Sequence, residues 1–131
     1  MFQNSKFLLR QSFRVDIESF SLKKDEKIIF EKNKESAKFW YNKGLDFSES
    51  HEYEKALQSY NKALTFDSHD PDIWNDRCYT LNKLAQYDEA VRSGNKAIQI
   101  SPEDPRIWNN LCDAYFACNN REKAEHVKQK Y

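Results

Sequence analysis

Three tryptophans, Trp40, Trp74 and Trp108, stand 34 residues apart, and each opens a stretch of similar pattern. A fixed period of that length marks a stacked-repeat architecture, in which each unit is one supersecondary element that buries its apolar face only against its neighbours. Alanines keep the same register: Ala56, Ala90 and Ala124, then seven residues later Ala63, Ala97 and, breaking the series, Tyr131. Small residues in register let two helices approach closely.

The apolar positions around each tryptophan fall at helical spacing: Trp40, Gly44 and Phe47; Trp74, Cys78 and Leu81; Trp108, Leu111, Cys112 and Tyr115. A second helix follows in each unit. Tyr53, Ala56, Leu57, Tyr60, Ala63 and Leu64 recur at intervals of three and four, and Tyr87, Ala90, Val91, Gly94, Ala97 and Ile98 repeat the stripe. Breakers separate the units, residues 67–71 and 101–105. Asp70 and Asp104 read as N-caps, each followed by a proline in the first turn, where the missing N–H costs nothing. The unit is therefore helix, turn, helix, turn.

On these residues, positions 37–131 resemble three tetratricopeptide repeats. Trp40, Gly44, Phe47, Ala56, Tyr60 and Ala63 match the family pattern in the first unit; Trp74, Leu81, Ala90, Ala97 and Pro102 in the second; Trp108, Leu111, Tyr115 and Ala124 in the third. The resemblance implies an all-α, right-handed α-solenoid of three helix-turn-helix repeats, 37–70, 71–104 and 105–131, behind an N-terminal extension, 1–36. Ser36 is expected to cap the first helix. Lys43 and Arg77 replace the family leucine, Cys78 and Cys112 its glycine, and Gly94 a large aromatic. Gly94 costs about 1 kcal/mol in helix propensity relative to alanine and leaves a gap for neighbours to fill. Were that gap empty, Gly94→Ala would be neutral or stabilising. Arg121 and Lys128 stand where apolar residues belong, so the last helix is expected to end the array with a polar face.

In the resembled family the first helices line a concave groove that holds protein partners. The matching positions here are Lys38, Tyr41, Asn42, Leu45 and Ser48; Asp72, Asn75, Asp76, Tyr79 and Asn82; Arg106, Asn109, Asn110, Asp113 and Phe116. This polar, amide-rich groove implies a protein-protein interaction module, an adaptor or scaffold for an extended peptide or helix. Side-chain amides carry a donor and an acceptor, so Asn42, Asn75, Asn109 and Asn110 are expected to grip a peptide backbone, with Tyr41, Tyr79 and Phe116 adding apolar contact. One branch of the family clamps chaperone C-terminal carboxylates with a set of basic and amide residues. The corresponding positions here are Tyr41, Leu45, Asp76, Arg106 and Asn110; a single basic residue and an aspartate argue against that ligand.

Residues 1–36 carry too much apolar surface for a disordered tail: Phe7, Leu8, Leu9, Phe13, Val15, Ile17, Phe20, Leu22, Ile28, Ile29 and Phe30. Phe13, Val15 and Ile17 alternate with charged residues, a period of two that predicts a short strand. Eight basic and six acidic residues give this segment a net +2, against −2 for 37–131. The complementarity favours the segment covering repeats of its own or a neighbouring chain. That is the alternative function: a self-assembling structural protein, a homo-oligomer through residues 1–36.

Charge and chemistry exclude other classes. The net charge of zero gives no general attraction to nucleic acid or acidic membranes, and the lysines are not gathered on one face. No apolar run spans a bilayer and no signal-peptide pattern opens the chain, so the expected location is cytoplasmic. Cys78, Cys112 and Cys118 lack the spacing of a zinc site and read as reduced thiols. His51, His69 and His126 lack metal-binding spacing, and Gly44 and Gly94, the two glycines, make no phosphate loop. Asp88, Glu89, Glu103 and Asp104 lie at helix starts, where carboxylates suit the macrodipole. The expectation is a non-enzyme without cofactor or metal.

Overall fold

The structure, a computed structural model, describes the backbone of residues 2–118 and 121–130, and among these the side chains of 17–118, 122, 123 and 125–129. Ala124 and Tyr131, expected to continue or break the alanine series, lie outside the described side chains. Six helices make up the described chain: α1 Phe2–Glu49, α2 Tyr53–Phe66, α3 Pro71–Lys83, α4 Tyr87–Ile100, α5 Pro105–Ala117 and α6 Arg121–Lys130.

Two expectations for the N-terminal part are corrected. Phe13, Val15 and Ile17 are helical, not a strand, and Ser36 lies inside α1 rather than capping a new helix. The reason is the absence of punctuation. The first glycine is Gly44 and the first proline Pro71, so nothing interrupts helical hydrogen bonding over the first 43 residues. An alternation confined to five residues cannot outweigh that.

By its contacts the chain divides into Met1–Glu35 and Ser36–Tyr131. In the first unit the described apolar side chains stay in water: Phe20 is 72 % exposed, Leu22 63 % and Phe30 60 %. In the second unit the helices pair as the 34-residue period demands, with α3 packed on both α4 and α5. Ala56, Ala63, Ala90 and Ala97 have no exposed surface. One core cluster joins Ala56, Tyr60 and Ala63 to Ile73 of the following unit; another joins Cys78, Leu81 and Ala90 to Ala114 of the unit after that. Each repeat thus closes the one before it. The third cluster, Cys112 and Val127 with Trp108 and Tyr115, is smaller.

The local chemistry explains the boundaries. Asp70 and Asp104 cap α3 and α5, their carboxylates accepting from the N–H groups of Asp72 and Arg106 at 2.9 Å. The turns between first and second helices end in a left-handed residue, His51 (φ 58°) and Ala85 (φ 57°), again 34 positions apart. Glu52 N–H then reaches back to Phe47 O, and Gln86 N–H to Leu81 O, closing the helix ends. The indoles of Trp74 and Trp108 are half-buried and donate to the carbonyls of Ser68 and Pro102, so each tryptophan ties its helix to the preceding loop.

Gly44 is a true close approach. A Cβ there would stand 2.4 Å from Tyr60 Cε1 and 2.6 Å from Cδ1. At Gly94 the expected gap is filled: a Cβ would meet Leu111 Cδ1 at 2.8 Å and Leu111 Cβ at 3.3 Å, with Cys78 Sγ at 3.4 Å. Leu111, from the next repeat, takes the space of the absent aromatic.

Candidate functional site

The last turns of α1, together with α3 and α5, carry the residues expected to line a groove, and the structure sorts them into two groups. One group is committed to rungs between successive repeats. Tyr41 Oη donates to Asp76 Oδ2 at 2.6 Å, and one repeat further on Asn110 Nδ2 donates to Asn75 Oδ1 at 2.8 Å. Asn82 Nδ2 donates to Asn110 O at 2.9 Å. Arg106 reaches Asp72 at 2.9 Å and Asp104 at 2.6 Å. These contacts cross one period each, apart from the Arg106–Asp104 pair, and they lock neighbouring first helices together.

The asparagines divide between the two groups. Asn75 is only 4 % exposed and its carbonyl oxygen accepts from Asn110; Asn110, half-buried, spends an amide N–H on Asn75. Asn42 and Asn109 remain exposed. The second group is open to solvent: Lys38, Asn42, Tyr79, Arg106, Asn109, Asp113 and Phe116, with Leu45 half-buried beside them. Tyr79 is 39 % exposed and Phe116 38 %, high values for aromatic side chains. Lys83 Nζ lies 5.3 Å from the Tyr79 ring centre and Lys128 Nζ 4.6 Å from that of Phe116.

The charges of this face are mixed: Asp72, Asp76 and Asp113 stand with Lys38 and Arg106, and Lys83 and Lys128 lie beside the two aromatic rings. Burial, countered in part by the Tyr41 hydroxyl, holds the Asp76 carboxyl above its ordinary value, and the nearby Asp72 and Asp70 charges push the same way. Tyr41 is raised as well, by burial and by donating to Asp76. The Arg106 guanidinium, hydrogen-bonded to Asp104 and Asp72, is held more firmly protonated, and it holds the Asp104 carboxyl below the usual range. The Cys78 thiol is pushed up to about 12 by burial, so it packs as an apolar group.

A second surface escaped the sequence reading. On the side of the second helices, between α2 and α4, runs an open groove of about 680 Å³ floored by Leu64 and Trp74. Arg77 lies in it with its side chain 16 % exposed, donating through Nε to Asn61 Oδ1 at 2.8 Å and through Nη1 to Ser93 Oγ at 2.5 Å. Glu89 stands 3.8 Å away. Arg92 and Lys96 complete the lining from α4. The available signal was the arginine itself, sitting where the repeat pattern has leucine.

Among the described residues no cluster of histidine, cysteine and carboxylate side chains is placed to hold a metal ion, and no helix is long and apolar enough to cross a membrane.

Two family models, both described as tetratricopeptide repeat, match residues 37–70 and 83–127. No curated protein sequence matches the chain. Among solved structures the fold is similar to the Arabidopsis OM64 TPR domain, with a TM-score of 0.73 at 16 % identity over 75 % of this chain and 81 % of that one. It is similar to the TPR2B domain of yeast Sti1, solved as a pHsp70 complex, at 0.68 and 22 % identity over 70 % and 74 %. The second TPR domain of human RPAP3, solved with the HSP70 peptide SGPTIEEVD, matches at 0.69 and 18 % identity over 77 % and 82 %. The paired helices, the buried alanines, the Asp-Pro helix starts and the two family models, which together span more than half of the sequence, make this chain a member of the tetratricopeptide repeat family.

Proposed function

We propose that residues 36–131 form a protein-interaction module that holds an extended segment or helix of another protein against the face built by the end of α1, α3 and α5. The observation that carries this is the pair Tyr79 and Phe116, aromatic side chains left exposed on the first helices beside a ladder of fixed polar contacts. Exposed aromatics on rigid helices are the usual anchors of a binding surface, because little side-chain freedom remains to be lost. The similar domains of Sti1 and RPAP3 are solved with Hsp70-derived ligands, which supports the class of function.

The ligand differs in charge. Asp72, Asp76 and Asp113 line the face, and the guanidinium of Arg106 is already shared between Asp72 and Asp104. Asp113 is exposed and, unlike Asp72, shares no arginine among the described residues, so the preferred ligand sets a neutral or basic group against Asp113 and apolar side chains against Tyr79 and Phe116, beside which Lys83 and Lys128 lie.

The test is fluorescence polarisation on labelled peptides, comparing a basic-aromatic library with the acidic peptide SGPTIEEVD. Selected basic peptides should bind, and Tyr79→Ala or Phe116→Ala should weaken them about tenfold or more, the loss of a hot-spot anchor worth at least about 1.4 kcal/mol. Binding of the acidic peptide alone, or affinity indifferent to both substitutions, defeats the proposal.

A further inference from the structure

The α2/α4 groove and the exposed helix at the start of the chain are complementary, and we propose that they bind each other between copies: the segment 17–35 of one chain lies in the Trp74–Arg77 groove of a second copy. This inference uses neither Tyr79 nor Phe116 and stands apart from the ligand face above.

In α1 the residues Ile17, Phe20, Lys24, Ile28, Glu31 and Glu35 follow one another at intervals of three and four, which places them on one face. Ile17 is 53 % exposed, Phe20 72 % and Ile28 41 %. That face is apolar over its N-terminal half and closes with two carboxylates at i and i+4. Lys24 does not spoil it, since a lysine stem can lie along apolar surface while its ammonium stays in water.

The groove offers the matching order. Leu64 and Trp74 form an apolar floor, and Arg92 and Lys96, also i and i+4, form a basic rim on α4. Arg77 adds a third cation; the one carboxylate of the lining, Glu89, pairs with Arg92 and stands 3.8 Å from Arg77, so the groove keeps an excess of positive charge. Two carboxylates four apart on one helix can face two cations four apart on another, while the isoleucines and the phenylalanine cover the indole. An outside ligand would need this arrangement by coincidence; the chain already carries it. The protein's net charge of zero adds no long-range repulsion between copies. Because groove and helix are different patches, the contact is heterologous: it closes into a reciprocal dimer or ring, or it propagates.

The full chain is measured by light scattering after size exclusion from micromolar to near-millimolar concentration, since a mass-action contact must strengthen with concentration. Native protein should exceed monomer mass. A helix variant, Phe20→Glu with Ile28→Glu, and a groove variant, Arg92→Glu with Lys96→Glu, should each fall to monomer while keeping native helix content by circular dichroism. Mixing the two variants is the decisive arm: the groove variant retains a good helix and the helix variant a good groove, so a one-to-one complex should return. A native chain that stays monomeric overturns the proposal. So does an oligomer that survives the groove variant, or a mixture that stays monomeric, because either means that another surface covers the helix.

Discussion

Replacing Gly44 by alanine tests the packing of the first repeat at its tightest point. Alanine gains about 1 kcal/mol of helix propensity, so on an open helix face the change stabilises. Here the new methyl would lie 2.4 Å from Tyr60 Cε1, 2.6 Å from Cδ1 and 3.0 Å from Cζ. Carbon atoms in contact rest about 3.5–4.0 Å apart, so the ring must retreat by about 1 Å or more. It has nowhere free to go, being 1 % exposed, seated on Ala56, Ala63 and Ile73, and 5.9 Å centre to centre from the Tyr41 ring. Rotation about its own axis does not help, because an entire edge of the ring faces the glycine. Overpacking of this kind costs about 1–3 kcal/mol, and with three contacts compressed at once the upper end applies. The net loss is about 1–2 kcal/mol, a fall of about 5–15 °C in melting temperature for a unit of this size. Urea unfolding and thermal melts followed by circular dichroism measure it. The same substitution in a Tyr60→Leu background should cost nothing, giving a coupling energy of about 1 kcal/mol or more. An unchanged or raised stability, or an equal cost in both backgrounds, refutes the argument that the ring sets the helix separation.

Gly94→Ala should also destabilise, by up to about 1 kcal/mol net, because Leu111 occupies the space; a stabilised variant would show that Leu111 relaxes freely. Ala85→Gly should stabilise by about 0.5–1 kcal/mol in urea titrations, since Ala85 is exposed and holds a φ of 57° that glycine adopts without strain. Trp74→Ala should cost about 2–3 kcal/mol, below the loss for a fully buried indole, as the ring is half-buried and its N–H bond to Ser68 O is replaceable by water. Asp76→Asn should raise stability at neutral pH. The folded Asp76 binds its proton more tightly than the unfolded chain does, so its native-state cost appears as pH rises above the ordinary carboxylate value of 3.8 and is absent below it. Melts across that range should show native and variant converging at low pH and diverging above; parallel curves would contradict the assignment of a raised pKa.

What could be read in the sequence divides along the range of the forces involved. Trp40, Trp74 and Trp108, the alanines at 56, 63, 90 and 97, and the Asp-Pro starts act within a turn or between paired helices, so spacing alone reports them. The continuation of α1 through Ser36 is hard to read because a serine able to cap a helix stands in a stretch where no residue stops one. The rung at Asn75 is hidden in the sequence for a different reason. Its partner Asn110 is 35 positions away, and only stacking brings the rung together; an asparagine that pairs with another in the next repeat looks in sequence the same as one that waits for a ligand. The difference has a physical consequence for the binding face. Each rung satisfies polar groups that water or a ligand would otherwise meet, which is why the proposed function rests on the exposed aromatics and Asp113 rather than on the amides. By the same logic Arg77, a cation where the pattern has leucine, is held through Asn61 and Ser93 within the groove between α2 and α4. Departures from a repeat pattern are therefore where surfaces particular to this chain arise, because the pattern itself encodes only the stacking common to every unit.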